Sequence, residues 1–173
     1  MRSTVDAAKI RRFMAELGRR ARGTGRVYLT GGATALLHGW RSTTADIDIK
    51  LDPEPEGAFA AIANLKNELD LNIELASPDQ FVPPVPGWRD RSAHIAREGA
   101  VDFYHFDYTS QALAKLSRGY ERDLGDVSAM LTAKLTSRDE VQRGFEAIEK
   151  ALIRYPGVDA DAFRSRVLRA VEP

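Results

Sequence analysis

The stretch Val27–Leu51, VYLTGGATALLHGWRSTTADIDIKL, decides how the rest of this chain is read. Val27 to Thr30 is a short apolar, β-branched run that stops at Gly31-Gly32, and Ala33 to His38 then has a helical composition, so the glycine pair belongs to a strand-to-helix turn. Such a turn suits a phosphate, because glycine lets backbone approach a ligand closely and the first N–H groups of a helix are unpaired donors. After a polar segment, Trp40 to Thr44, comes Asp46-Ile47-Asp48-Ile49. Side chains alternate faces along a strand, so both carboxylates leave one side and both isoleucines the other. Adjacent carboxylates repel, and a divalent cation with oxygen ligands is the natural compensation.

A double glycine alone is an ordinary loop feature; followed by a short helix and an acidic strand it puts phosphate-binding backbone opposite metal-holding oxygens. On these residues the stretch resembles the signature of the DNA polymerase β-type nucleotidyltransferase superfamily, a glycine turn followed by Asp-x-Asp on the next strand. Its wider form, GGAxALLxGWRxxTxDIDIKL, resembles small bacterial nucleotidyltransferase domains related to toxins of abortive-infection and toxin–antitoxin systems. Ala33 stands where some relatives have serine, so a side-chain contact to phosphate from that position is absent. The resemblance implies an NTP as substrate, two Mg²⁺ ions (Mn²⁺ as a substitute), an RNA or tRNA end or a protein as acceptor, and a cognate antitoxin as partner.

The chain has 173 residues, 43% hydrophobic and 29% charged, a globular composition. The formal net charge is +0, so a polyanion has to be met by a local basic patch. There is no cysteine, which excludes disulfides, thiolate zinc and cysteine catalysis. No apolar run reaches the roughly 20 residues of a membrane span and no signal-peptide core opens the sequence, so the expected location is cytoplasmic, with no membrane partner.

Upstream, a helix is expected from Ser3, with Ser3 and Asp6 in capping-box spacing and Ile10, Phe13, Met14 and Leu17 on one face. Its arginines, Arg11, Arg12, Arg19, Arg20 and Arg22, read as a solvated face or as an RNA contact. Downstream, Glu56 to Leu69 repeats at helical period through Phe59, Ile62, Ala63 and Leu65, and Leu71 to Leu75 alternates as a third strand. Glu74 is then the third carboxylate, since the resembled superfamily carries its third acid on the strand after Asp-x-Asp. Asp102, in Val101-Asp102-Phe103, is its rival. The proline-rich segment from Ser77 to Arg91 reads as a long extended loop, and Ala93–Arg97 with Val101–Phe106 as a hairpin about Glu98-Gly99.

From Tyr108 on the pattern is helical, so the expected organisation is an α/β (α+β) mixed-sheet core over 1–107 and a helical part over 108–173. Thr109 or Ser110 is expected to cap the first of these helices, which ends at Gly119 and carries Lys115 and Arg118 on one face. Leu124, Val127, Leu131 and Leu135 read as the buried stripe of the next, leaving Asp123 and Asp126 on its outer side. The run QALAKLSRGYERDLGDV resembles a segment of the same toxin-related enzymes in which a lysine and a downstream aspartate belong to the active site, which implies Lys115 and Asp126 here. Two further helices, Glu140–Tyr155 and Asp159–Val171, close the chain; the scattered histidines, His38, His94 and His105, receive no catalytic role.

The expected catalytic set is therefore Asp46, Asp48, Glu74, Lys115 and Asp126, with Asp46, Asp48 and Glu74 as metal ligands. Gly31, Gly32, Arg41, Thr44, Lys115 and Arg118 are the expected nucleotide-binding residues. The rival reading is a degenerate nucleotide-binding or partner-binding module of a toxin–antitoxin pair.

Overall fold

The structure is a computed structural model that describes residues 2–173. The chain divides into two compact units, residues 1–77 with 93–105, and residues 78–92 with 106–173, so the proline-rich segment belongs with the helices.

The first unit is built on five strands: β1 (Gly25–Thr30), β2 (Asp46–Leu51), β3 (Asn72–Leu75), β4 (Ala93–Glu98) and β5 (Val101–His105). Their order across the sheet is β3-β2-β1-β5-β4. β2 runs antiparallel to β1, and β4 to β5, while β3 is parallel to β2 and β5 to β1. The expected mixed sheet is thus present. Residues paired across a ladder point to the same side. Val27, Leu29, Ile47, Ile49, Ile73, Val101 and Phe103 therefore form one apolar face, packed into a single core with helices α1 (Ala7–Arg20), α2 (Gly32–His38) and α3 (Ala58–Glu68). The register sets Thr30, Asp46, Asp48, Asn72 and Glu74 on the opposite side.

Helix α1 buries Ile10, Phe13, Met14 and Leu17 as its periodicity requires. It begins later than expected. Val5 forms a bridge to Thr44, exchanging both backbone hydrogen bonds with it, and Asp6, in the extended region, is the cap, accepting from the Lys9 amide. The arginine face is largely matched by carboxylates. Arg19 pairs with Glu16, Arg20 with Glu16 and Glu68, and Arg22 with Glu56, each bridge being a surface pair of small energetic weight. Phe59, expected in the buried stripe of α3, is 51% exposed, because Ala58, Ala61, Ile62 and Leu65 make the contact instead.

On the apolar side, His105 is buried beneath α2, its Nδ1 3.0 Å from the Thr34 hydroxyl and its ring 4.6 Å from that of His38. Burial first, and the neighbouring His38 second, push the His105 imidazole down to about 3. Between the ordinary value near 6.5 and 3, the unfolded chain binds a proton that the folded chain refuses, so stability falls as pH falls through that window. The expected contribution is about 1.4 kcal/mol per pH unit below 6.5. Urea unfolding of wild type and His105→Gln at pH 7.5, 6 and 5 checks it: the variant should show a shallower loss, and parallel curves would exclude His105 as the acid-sensitive group.

The second unit begins with a 3₁₀ turn at Pro78–Gln80 and one helical turn, α4 (Trp88–Arg91), where an extended loop was expected. Trp88 stacks on Phe106 at 4.4 Å and Arg91 forks onto Asp107, which explains how a proline-rich segment becomes ordered. Helix α5 (Tyr108–Arg118) is central, with α6 (Glu121–Thr132), α7 (Arg138–Ile148) and α8 (Ala160–Val171) packed on it. Asp107 caps α5 in place of Thr109 or Ser110, accepting from both the amide and the hydroxyl of Ser110. A Ser137–Glu140 capping box starts α7. A 3₁₀ segment, Glu149–Arg154, continues it, and Asp159 caps α8, which buries Phe163 and Val167.

Helix α6 is turned relative to expectation. Asp123, Asp126, Val127 and Met130 are its buried residues, whereas Leu124 is 41% exposed and Leu131 half-buried. The reason lies on α5, where Lys115 and Arg118 face α6 and draw its two aspartates inward. Among the described residues, no helix is long and apolar enough to cross a membrane.

Candidate active site

Strand β1 ends at Thr30, and the chain turns through Gly31 at φ 60°, ψ −127° into α2. That conformation mirrors the extended region and is open to glycine alone. A methyl group on Gly31 would also come within 3.1 Å of Asp48 Oδ2, so the carboxylate of β2 lies directly against the turn. Gly32 is required for a different reason. Its Cβ would stand 2.1 Å from Thr44 Oγ1 and 2.7 Å from Thr44 Cβ, a space already filled by the residue that anchors the N-terminal segment through Val5. Gly32→Ala is expected to cost about 1–3 kcal/mol by overpacking. A thermal melt in which this variant matched wild type would show that Thr44 moves aside freely.

The acids are gathered by register. Asp46 lies opposite Asn72, and Asp48 opposite Glu74, on parallel neighbours about 4.8 Å apart. All four side chains leave the polar side of the sheet. Asn72 Nδ2 donates to Asp46 Oδ1 at 2.5 Å and to Glu74 Oε1 at 3.0 Å, so one amide group bridges two carboxylates that would otherwise repel. Among the described residues no group of three or more Asp, Glu or His side chains stands ready-converged around a metal position. The donor set is nonetheless of the kind a hard cation takes: carboxylate oxygens on adjacent strands, half-buried to exposed. Asn72 shares the polar face of β3 with Glu74, but its bridging role could be found only from the pairing of β2 with β3.

Asp102 is placed elsewhere on the sheet. It lies opposite Arg26, four residues along β1 from Thr30, which is opposite Asp48; that is roughly 13 Å of strand. His94 and Arg97 hold its carboxylate at 3.1 and 3.4 Å. The structure therefore groups Glu74, and not Asp102, with Asp46 and Asp48. Arg41 follows the C-terminus of α2 and is half-buried, and Thr44 stands two residues before the first aspartate of the acidic strand.

Lys115, Arg118 and Asp126 belong to the helical unit. Lys115 is 4% exposed and donates to Asp126 Oδ2 at 2.6 Å, with Asp123 Oδ1 at 3.5 Å; Asp126 is 3% exposed. Arg118 forks onto Asp123 at 3.1 and 2.9 Å and lies over the Phe81 ring at 5.0 Å. Lys115, Asp123 and Asp126 form a buried ionic cluster that ties α5 to α6, with the more exposed Arg118 at its edge, where the helical period placed the two aspartates on the outer side of α6.

A glycine turn against an acidic strand, with a third carboxylate in register beside it, agrees with the outcome of comparison with protein families. The family described as a nucleotidyltransferase of unknown function (DUF6036) matches residues 8–164, a span that takes in all but the first residue of α1, the glycine turn, Asp46, Asp48 and Glu74, and the Lys115–Asp126 pair. The chain belongs to this family. Comparison with curated proteins and with solved structures found no match. Membership in a nucleotidyltransferase family supports nucleotidyl transfer as the general activity; metal, nucleotide and acceptor are not part of that description.

Proposed function

We propose that this nucleotidyltransferase moves an NMP group from an NTP to an acceptor hydroxyl, with Asp46, Asp48 and Glu74 as the acidic centre. The observation that carries the reading is the register of β2 with β3, which sets Glu74 beside Asp48 on the face that also meets the Gly31 turn. Asp46, Asp48 and Glu74 would hold two Mg²⁺, with Mn²⁺ as a substitute. Bound there, the ions supply charge compensation for the phosphates and lower the pKa of the attacking hydroxyl. The protein's own contribution is positional. Gly31 and Gly32 bring backbone N–H donors to the phosphates, Thr44 fixes the turn against β2, and Arg41 offsets charge on the departing pyrophosphate. Glu74, which lies at the sheet surface and is bridged through Asn72 to Asp46, would accept the acceptor's proton. Lys115 and Asp126 enter on resemblance, acting as a pair, with Arg118 beside them.

The resemblance to abortive-infection and toxin–antitoxin enzymes directs the acceptor search to RNA ends first and to proteins second. The test incubates the purified chain with each α-labelled NTP, Mg²⁺ and total cell RNA or lysate, and follows label into a macromolecule. Stabilisation by NTP and Mg²⁺ without label in any acceptor would favour a binding module and overturn the transfer reading. In the same assay Glu74→Gln should lose at least about a hundredfold in rate, whereas Asp102→Asn stays near wild type. The reverse order would move the third carboxylate to β5.

A further inference from the structure

Helices α6 and α8 both rest on α5 but hardly touch each other, and a groove of about 540 Å³ lies between them. Its apolar lining comes from Leu116, Leu124, Val127, Leu131 and Ala170. Leu124 and Leu131 are two residues of the stripe that periodicity assigns to a core. They line an open groove because the buried face of α6 is taken by Asp123 and Asp126, which pair with Lys115 and Arg118. Among the described residues, no helix is seated on this part of the apolar stripe.

The charge around the groove says what covers it. Arg138, Arg166 and Arg169 surround the apolar lining, against a single acidic residue, Glu172. Arg166 spends Nη1 on the carbonyls of Leu116 and Ser117, and none of the three arginines has a carboxylate partner among the described residues. Arg138 is the first residue of α7, where the helix dipole disfavours a cation, so an incoming carboxylate there relieves an existing mismatch. The leucines stand seven residues apart, roughly 10 Å along α6, which is two turns of a facing helix presenting anchors at i, i+3 or i+4 and i+7.

We propose that the α6/α8 groove is a docking site for an amphipathic helix of a partner protein, with leucine-type anchors on one face and flanking glutamates or aspartates opposite Arg138, Arg166 and Arg169. Depletion of charge at the centre and complementary charge at the rim is the usual anatomy of such a contact. The site is distinct from the acidic strand and does not depend on the chemistry proposed for it.

The test uses the intact chain and fluorescein-labelled peptides of about 18 residues, long enough to form a helix on binding. The first peptide has leucines on one face and glutamates beside them, the second replaces the glutamates by lysines, and the third replaces the leucines by serines. The acidic amphipathic peptide should bind at least about tenfold tighter than either control. Leu124→Glu and Arg169→Glu, both surface changes with unchanged thermal midpoints, should each weaken it by about tenfold or more, and Arg138→Glu/Arg169→Glu should reverse the preference towards the lysine peptide. Equal binding of all three peptides, or of none, overturns the proposal. So does an RNA of about 12 nucleotides that binds in an Arg169-dependent but Leu124-independent manner, which would give the groove to nucleic acid. A dimer of this chain that is lost in Leu124→Glu would give it to a second copy.

Discussion

Asp48→Ala is expected to abolish nucleotidyl transfer, by about a thousandfold or more, while the fold survives. The loss follows from position. Asp48 is the carboxylate that faces both the Gly31 turn and, across the ladder, Glu74, so its removal takes away the group common to the proposed nucleotide-binding turn and the proposed acidic centre. The fold survives because β2 is anchored by Ile47 and Ile49, both essentially fully buried on the opposite face, and removing one of several like charges relieves repulsion. Label transfer from the NTP measures the first effect and a circular dichroism melt the second. A folded variant that keeps a tenth of wild-type activity would remove Asp48 from the reaction.

Lys115→Met should be strongly destabilising, at about 3–5 kcal/mol, because it removes the ammonium paired with the Asp126 carboxylate in a dry interior. Asp123 is less affected, since Arg118 already forks onto it. The double variant Lys115→Met/Asp126→Leu should recover most of that loss, as replacing both partners of a buried pair by apolar groups commonly does. Urea unfolding at neutral pH reads both values. The double variant also separates structure from chemistry. If the pair takes part in transfer, as proposed, the restored protein stays more than about tenfold slower than wild type; if it regains full activity together with its stability, Lys115 and Asp126 are scaffold, and the phosphate-binding role falls to Arg41 and the glycine turn.

Much of the first unit is written in short-range pattern. The alternation of Asp46-Ile47-Asp48-Ile49 placed two carboxylates on one face, and the glycine pair fell at the strand-to-helix turn as its chemistry demands. The hairpin about Gly99 and the apolar face of α1 were equally plain. Each depends on a period of 2 or 3.6 residues, and a local pattern suffices for that. The caps were less legible. Asp6 and Asp107 took the places expected of Ser3 and of Thr109 or Ser110, because which polar residue caps a helix depends on where the preceding chain is extended, and Val5 pairing with Thr44 decides that for α1.

The sequence by itself therefore determined the mixed α/β architecture, the glycine turn, the shared face of Asp46 and Asp48, and Glu74 as the strand acid that follows them. Only the tertiary structure decided that Asn72 bridges Asp46 to Glu74, that Asp102 is held by His94 and Arg97 away from that group, and that α6 turns its aspartates inward and its leucines out. The physical reason is common to all three. A hydrophobic pattern assumes that charge faces water, but a charge follows its partner, and Lys115 reaches Asp126 from another helix just as β3 brings Asn72 to β2, through packing that no local period encodes.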